Sequence, residues 1–480
     1  VYDGGANANF STLFIATKGI NTYSGGTIIN NGRVWQYCKE QPLGTGPVTL
    51  NGGQLICNKM TNPLIVNGGR IAGGGTDWNA PITVNGIAML NGSCSFNQTS
   101  GGITGPGGLT MEGTQSTWTI INQGVVSLYG TNTYTGPTTI LQGAIAVKKV
   151  VALYNADSTK WTPANIIVNK SAKLSISAGG PGEFTGAQIG TLLKNLTTSI
   201  NHNGMMAGSY ISLDVSNAHE PVTVSADIAD SKGTGGGPII IKKSGSGTLQ
   251  LSGKNTYSGQ TILETGTLSV ASLNNVVKGK SSSSLGAPLD IEAGEIVIGE
   301  QDKDGECALI YTGTGETTDR VMNLTGKNST MTFDQSGSGL LKLTSDLLIS
   351  GYGSSKTIVL AGDSAGTGEF AGSIVNPYDR AGKAITSLTK SGKGTWALSG
   401  ANSYTGPTKV ADGALVLTNA RALGDKPEID IAQGAALGLN FKGEIRVNKL
   451  TLGGQPQPAG RYGATHASGL LKGAGVLIKE

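Results

Sequence analysis

Four groups of residues have the types and spacing for chemistry. Gly362-Asp363-Ser364-Ala365-Gly366 matches the G-x-S-x-G nucleophile elbow, with His466 downstream and Asp379, Asp412 and Asp425 between them in a hydrolase-compatible order. Glu300-Gln301-Asp302-Lys303-Asp304-Gly305 resembles the first half of a calcium loop, because alternate carboxylates before a glycine can converge on a hard cation. Asp227 and Asp230 are close enough in sequence to suggest a carboxylate pair, and Cys38, Cys57, Cys94 and Cys307 offer thiols.

The first three groups are each missing a part that their chemistry needs. An elbow requires a helix directly after the serine, but Thr367 to Ile374 reads as glycine-broken β sequence, so a solvent-facing loop is expected. Position twelve of the calcium loop is Tyr311 instead of a bidentate glutamate, which leaves a solvated acidic turn, and Gly73-Gly74-Gly75-Thr76-Asp77 is an isolated echo of a calcium nonapeptide. His202, His219 and His466 have no partner at metal-ligand spacing. No phosphate-binding loop occurs, and nothing around Asp227 and Asp230 resembles the acid sites of polysaccharide-active β-helices. The expectation is no catalytic residue, no metal and no cofactor.

Composition explains why such matches arise by chance. Of 480 residues 76 are Gly, while charged residues are 14% and aromatics 5%. Apolar residues at 38% can still build a core, and a net charge of +4 excludes charge-driven disorder. Lysines and arginines are dispersed, which argues against nucleic acid, and no apolar run is long enough for a membrane-spanning helix. The chain begins at Val1, which suits a mature product after signal removal or an excised piece.

The glycines punctuate a repeat. Thr27 to Gly32, Val48 to Gly53, Leu64 to Gly69 and Ile82 to Gly86 are each a short alternating run closed by Asn-Gly, with the asparagines Asn31, Asn51, Asn67 and Asn85 recurring every 16 to 20 residues. Looser copies follow at Thr261 to Val270, Leu289 to Ile298 and Ile429 to Gly434. The unit is strand, bend, strand, with glycine supplying positive φ and the period-2 apolar residues supplying a buried face. Asn-Gly also suits a two-residue hairpin, so an antiparallel meander is the alternative. The solenoid is favoured because one phrase returns about once per coil, whereas a meander needs turns of two kinds.

The β rhythm breaks once. From Phe184 to Asn201 the apolar positions Ile189, Leu192, Leu193, Leu196 and Ile200 form a helical stripe, read as a short amphipathic helix covering the side of the core. The expected division is N-terminal solenoid coils over 1–178, an insert-bearing segment over 179–235, and C-terminal coils with a closing coil over 236–480.

A longer phrase recurs four times, as Asn21-Thr-Tyr-Ser-Gly-Gly-Thr27, Asn132-Thr-Tyr-Thr-Gly-Pro-Thr138, Asn255-Thr-Tyr-Ser-Gly-Gln-Thr261 and Asn402-Ser-Tyr-Thr-Gly-Pro-Thr408. The two later copies share a Lys-Ser-Gly-x-Gly-Thr lead-in at Lys243 and Lys390, and a trailing Leu-Gly at Leu285-Gly286 and Leu423-Gly424. This resembles the passenger-associated transport repeat, or autotransporter-associated β-strand repeat, of secreted Gram-negative proteins. The resemblance implies an all-β, right-handed parallel β-helix of roughly twenty coils, secreted or displayed at the cell surface of a Gram-negative bacterium. It departs from an autotransporter in showing no barrel strands after the last repeat; Leu450 to Leu477 resembles the closing coil of barrel-less members, which is the expected assignment.

Within the repeat, Tyr23, Tyr134, Tyr257 and Tyr404 are expected to cover a bend, each hydroxyl reaching water or a backbone group. Cys38 and Cys57 lie at even offsets from their bend glycines and so share a face on neighbouring coils; a disulfide and two thiols are both open. Cys94 and Cys307 are expected to be buried or to link chains. Val476 to Lys479 and the apolar start at Thr12 to Ala16 read as uncapped edges. The expected function is a non-enzymatic extracellular structural protein whose subunits stack head to tail on copies of themselves into a fibre. The alternatives are a monomeric adhesin binding glycans or matrix and, further off, a polysaccharide-active enzyme.

Overall fold

A computed structural model describes residues 12–15, 21–36, 43–57, 59–96, 101–115, 120–121, 124–197, 200–276, 282–301, 303–351, 353–425 and 427–480. Cys38 and Asp302, and with them the Cys38–Cys57 pairing, lie outside the described residues. The chain forms two compact units, one of Val1–His219 with Ala229–Ile241 and one of Glu220–Ile228 with Lys242–Glu480. Each is a parallel β-helix.

In the first unit, Thr27–Ile29, Val48–Leu50, Leu64–Val66, Ile82–Val84 and Ile103–Thr104 stack parallel and in register. Parallel pairing rules out the meander, because a hairpin would set neighbouring strands antiparallel. The strands alternate buried and half-buried positions: Val48, Leu50, Leu64, Val66, Ile82 and Val84 point into the core, while Thr49, Ile65 and Thr83 point out. Behind each Asn-Gly bend a second strand runs along another sheet, as Gln54–Cys57 does between Arg33–Gln36 and Arg70–Trp78. The bends need glycine in fact. Gly53 has φ +69°, and a Cβ there would lie 2.4 Å from the Gly32 carbonyl oxygen of the coil beneath.

The expected insert helix is Gly186–Thr197. Thr185 and Gln188 cap it reciprocally, the Gln188 amide donating to Thr185 Oγ1 at 3.2 Å and the Thr185 amide to Gln188 Oε1 at 2.9 Å. Ile189, Leu192, Leu193 and Leu196 are buried as the stripe requires. Ile200 is a correction, since it belongs to the short strand Ile200–Asn201, paired with Gly233–Thr234. Within the described residues the helix reaches Thr197, whose hydroxyl turns back onto the Leu193 carbonyl at 2.8 Å.

In the second unit, ten parallel strands from Val222–Val224 to Lys449–Leu452 make one long sheet, and Glu316–Thr318 to Leu471–Gly473 make another of seven. Near the C-terminus the pairing turns antiparallel. Gly460–Tyr462 runs against Leu477–Lys479, while the same strand, Val476–Lys479, pairs parallel with Glu444–Val447. The strand expected to present an open edge is therefore bonded on both sides.

Candidate functional site

The repeated phrase builds one inter-coil staple, seen in full in three of its four copies. Asn402 is buried, and its amide spans three coils: Oδ1 accepts from the Ile374 amide at 2.7 Å on one side, and Nδ2 donates to the Ala422 carbonyl at 2.6 Å on the other. Asn255 does the same between Ile228 at 2.8 Å and Ser284 at 2.6 Å, and Asn132 between Ile103 and Ala152, both at 2.9 Å. The isoleucine carbonyl in turn accepts from the next two backbone amides of the phrase, as Ile374 does from Ser403 and Tyr404. An amide is suited to this position because it donates and accepts at once, satisfying two backbone groups cut off from water.

The tyrosine follows two residues later. Tyr134, Tyr257 and Tyr404 are buried, and each hydroxyl meets the threonine four residues on, at 2.5, 2.7 and 2.7 Å. The expected water or backbone partner is thus corrected to a side chain of the same phrase. Burial pushes the Tyr134 and Tyr404 phenols well above their ordinary pKa. Tyr23 pairs with Thr27 at 2.8 Å but is 45% exposed. The trailing Leu-Gly is explained by contact: Gly286 has φ +75°, and a Cβ there would sit 2.1 Å from the Tyr257 carbonyl oxygen. The second copy carries Tyr154 at this place, with φ +53°, its hydroxyl donating to Asn165 O at 2.7 Å and its ring 4.9 Å from that of Tyr134.

The lead-in lysines are interior too. Lys390 is fully buried, and its ammonium donates to the carbonyls of Ser391 at 2.6 Å, Gly392 at 2.7 Å and Asp412 at 3.3 Å. Lys243 donates to the carbonyls of Gly245 and Thr265. Burial draws the Lys390 pKa down to about 8, against the pull of Asp412 and Asp363.

The residues first considered for chemistry are spent on the coils. Ser364 Oγ donates to Gly337 O at 2.6 Å, with Gln335 O also within reach at 3.0 Å, and accepts from the Gly366 amide, and the strand Thr367–Phe370 follows instead of a helix. His466 bonds to Ser468 at 3.0 Å and lies on Tyr462. The Asp379 carboxylate accepts from the amides of Ala381, Lys383 and Ala384, which hold its pKa below the usual carboxylate range; Asp412 accepts from Gly413, and Asp425 is exposed. Asp227 accepts from the Lys254 amide and Asp230 from that of Ile239. Glu300 pairs with Lys303, Asp304 accepts from Asn328, and Tyr311 is buried; the nonapeptide echo is part of the strand Arg70–Trp78. His202 and His219 are exposed. Among the described residues no three His, Cys, Asp or Glu side chains come together for a metal. Cys57, Cys94 and Cys307 are buried; burial raises all three thiol pKa values, Cys94 to about 12 and Cys307 to about 11.

Open surface lies on the outward face of the ten-strand sheet. Register aligns Thr332, Val359, Thr389, Lys409, Asp430 and Thr451 in one row across six coils. Beside its last four members is a shallow groove of about 350 Å³.

The family model for the passenger-associated-transport-repeat matches residues 12–34, 121–147, 241–270 and 388–417, each containing one copy of the phrase or the strands around it. Among curated proteins the chain is similar to the adhesin BmaC autotransporter of Brucella suis biovar 1 (strain 1330), 27% identical over 437 residues. The match covers 88% of this chain and 12% of that protein, so the chain corresponds to a small part of its relative's length. No solved structure matches. The chain is a parallel β-helix in which four segments match the passenger-associated-transport-repeat, and most of its length is similar to part of an autotransporter adhesin.

Proposed function

We propose that this chain is a non-enzymatic passenger segment, secreted or displayed at the surface of a Gram-negative bacterium, which holds an adhesive sheet face outward. The observation that carries the reading is the similarity to an adhesin along 88% of the chain. The geometry is consistent with it. Asn132, Asn255 and Asn402 lock the interior, leaving the outward rows free to vary without loss of fold. The row from Thr332 to Thr451 offers hydroxyls and both signs of charge at the coil spacing of about 4.8 Å, close to the length of one sugar residue, which suits a glycan chain lying along the sheet. Head-to-tail stacking of copies into a fibre was expected from open terminal edges, and pairing of Val476–Lys479 on both sides weakens that basis.

The test couples the purified chain to beads and measures retention on extracellular-matrix and host-cell glycans, with sedimentation velocity run in parallel. Retention above blank beads, falling several-fold in Lys409→Glu while the chain sediments as a monomer, is expected. No retention overturns the adhesive reading, and concentration-dependent polymers without retention favour copies of the chain as its partner.

A further inference from the structure

The four-coil bend of the first unit carries an exterior ladder. Asn51 Nδ2 donates to Asn30 Oδ1 at 2.8 Å, Asn67 Nδ2 to Asn51 Oδ1 at 2.7 Å and Asn85 Nδ2 to Asn67 Oδ1 at 2.8 Å. All these bonds run one way, each coil donating to the one before it. Asn51, Asn67 and Asn85 are exposed, and each is followed by glycine. Asn-Gly is the dipeptide in which the next amide nitrogen reaches the side-chain carbonyl carbon with least hindrance. Here both reacting parts are held. The Gly52, Gly68 and Gly86 amides point at Ile29 O, Leu50 O and Val66 O at 3.4, 3.3 and 3.2 Å, and the departing Nδ2 of each asparagine is bonded to the coil beneath.

We propose that this ladder is a directional deamidation array, in which conversion of one asparagine releases its neighbour toward Asn30 and tightens its hold on the neighbour toward Asn85. In the step, the glycine nitrogen loses its proton and bonds to Cγ, and the Cγ–Nδ2 bond breaks with Nδ2 leaving as ammonia. Water then opens the five-membered imide to aspartate or isoaspartate. At position 67 the product has no donor, so a carboxylate oxygen faces Asn51 Oδ1, acceptor against acceptor, and pushes that side chain out of the ladder. Toward Asn85 the same carboxylate accepts from Nδ2 in a charge-assisted bond stronger than the one it replaces.

The experiment incubates the whole chain at mildly alkaline pH and follows each Asn-Gly site by peptide mapping and mass spectrometry. Asn203-Gly204, in the same unit and outside the ladder, reports general loosening. In Asn67→Asp, deamidation at Asn51 is expected to rise about twofold, the factor for losing one solvent-exposed hydrogen bond, while Asn85 reacts no faster than in the parent chain. In Asn67→Ser, which removes donor and acceptor together, both Asn51 and Asn85 accelerate. The proposal is overturned if Asn51 is unchanged in Asn67→Asp, if Asn85 accelerates there instead, or if Asn203 rises by the same factor as Asn51.

Discussion

The molecule uses asparagine to join coils in two regions, and the two uses differ in what surrounds the amide. Along the exterior bend, Asn30, Asn51, Asn67 and Asn85 bond to one another in contact with water. Within the repeats, Asn132, Asn255 and Asn402 are 0%, 1% and 8% exposed and bond to backbone groups of the coils on either side. An exposed bond replaces a bond to water and changes little, whereas a buried amide satisfies groups that have no other partner. The same residue is therefore surface complementarity in one region and a structural requirement in the other. The ladder can tolerate modification; the staple cannot.

The sharpest way to break that comparison is Asn402→Ala. It leaves the Ile374 amide and the Ala422 carbonyl buried and unpaired, at roughly 1–3 kcal/mol for each, so a loss of about 2–6 kcal/mol is expected. Urea unfolding of the whole chain measures it, and amide exchange at Ile374 locates it. A midpoint equal to the parent's would mean that the interior amide is no more than another ladder rung.

Which half of this comparison shows in the sequence depends on distance along the chain. Asn-x-Tyr, the bend glycines and the 16-to-20-residue return can be read along the chain, and they favour the parallel solenoid over the meander that the strand pairing then rules out. The hydroxyl partner was local as well: threonine follows each repeat tyrosine by four residues in all four copies, a signal that identifies the pair once the phrase is aligned. The backbone groups held by the staple lie 20 to 29 residues away and are identified by position only, since any residue type supplies an amide and a carbonyl. Ladder membership fails for a related reason. In Asn30-Asn31-Gly32 the Asn-Gly phrase aligns Asn31, but the strand register sets Asn30 level with Asn51, and it is Asn30 that accepts from it, Asn31 standing where the next coil has Gly52. The lead-in phrase marks Lys390, and two of its carbonyl partners, Ser391 and Gly392, are its immediate neighbours, but the third, Asp412, is supplied by the next coil and is not local.

That lysine sharpens the comparison through pH. Its folded pKa, drawn down by burial to about 8, lies below the unfolded value of about 10.4. Between these limits the unfolded chain holds the extra proton, so stability rises with pH through the window and the burial penalty is full below it. Lys356, also buried and drawn down to about 8, contributes in the same direction. Between about pH 8 and pH 10 the buried thiols, whose raised pKa values pull stability down as the unfolded thiols ionise, act equally in the parent and in Lys390→Met, so the slope is read between the two chains, and the urea midpoint of the parent is expected to gain on that of the variant across this window. Parallel midpoints in the two chains would place the titrating charge elsewhere. Asn67→Ser, with no titrating group removed, keeps the parent slope.

Asn67→Ser is also the smallest effect and the closest control. It removes one donor and one acceptor from the ladder, but Asn51 Oδ1 and Asn85 Nδ2 then turn to water, which is already at the bend. The backbone bonds beneath it persist, since the Asn67 amide donates to Leu50 O at 2.8 Å whatever side chain it carries. Serine suits the bend conformation nearly as well as asparagine. The expected change in stability is within about 0.5 kcal/mol, as for surface substitutions generally, against the several-fold larger loss at Asn402. A loss at Asn67 as large as that at Asn402 would mean that the ladder acts cooperatively along its length, each rung polarising the next, and the exterior amides would then belong with the staples.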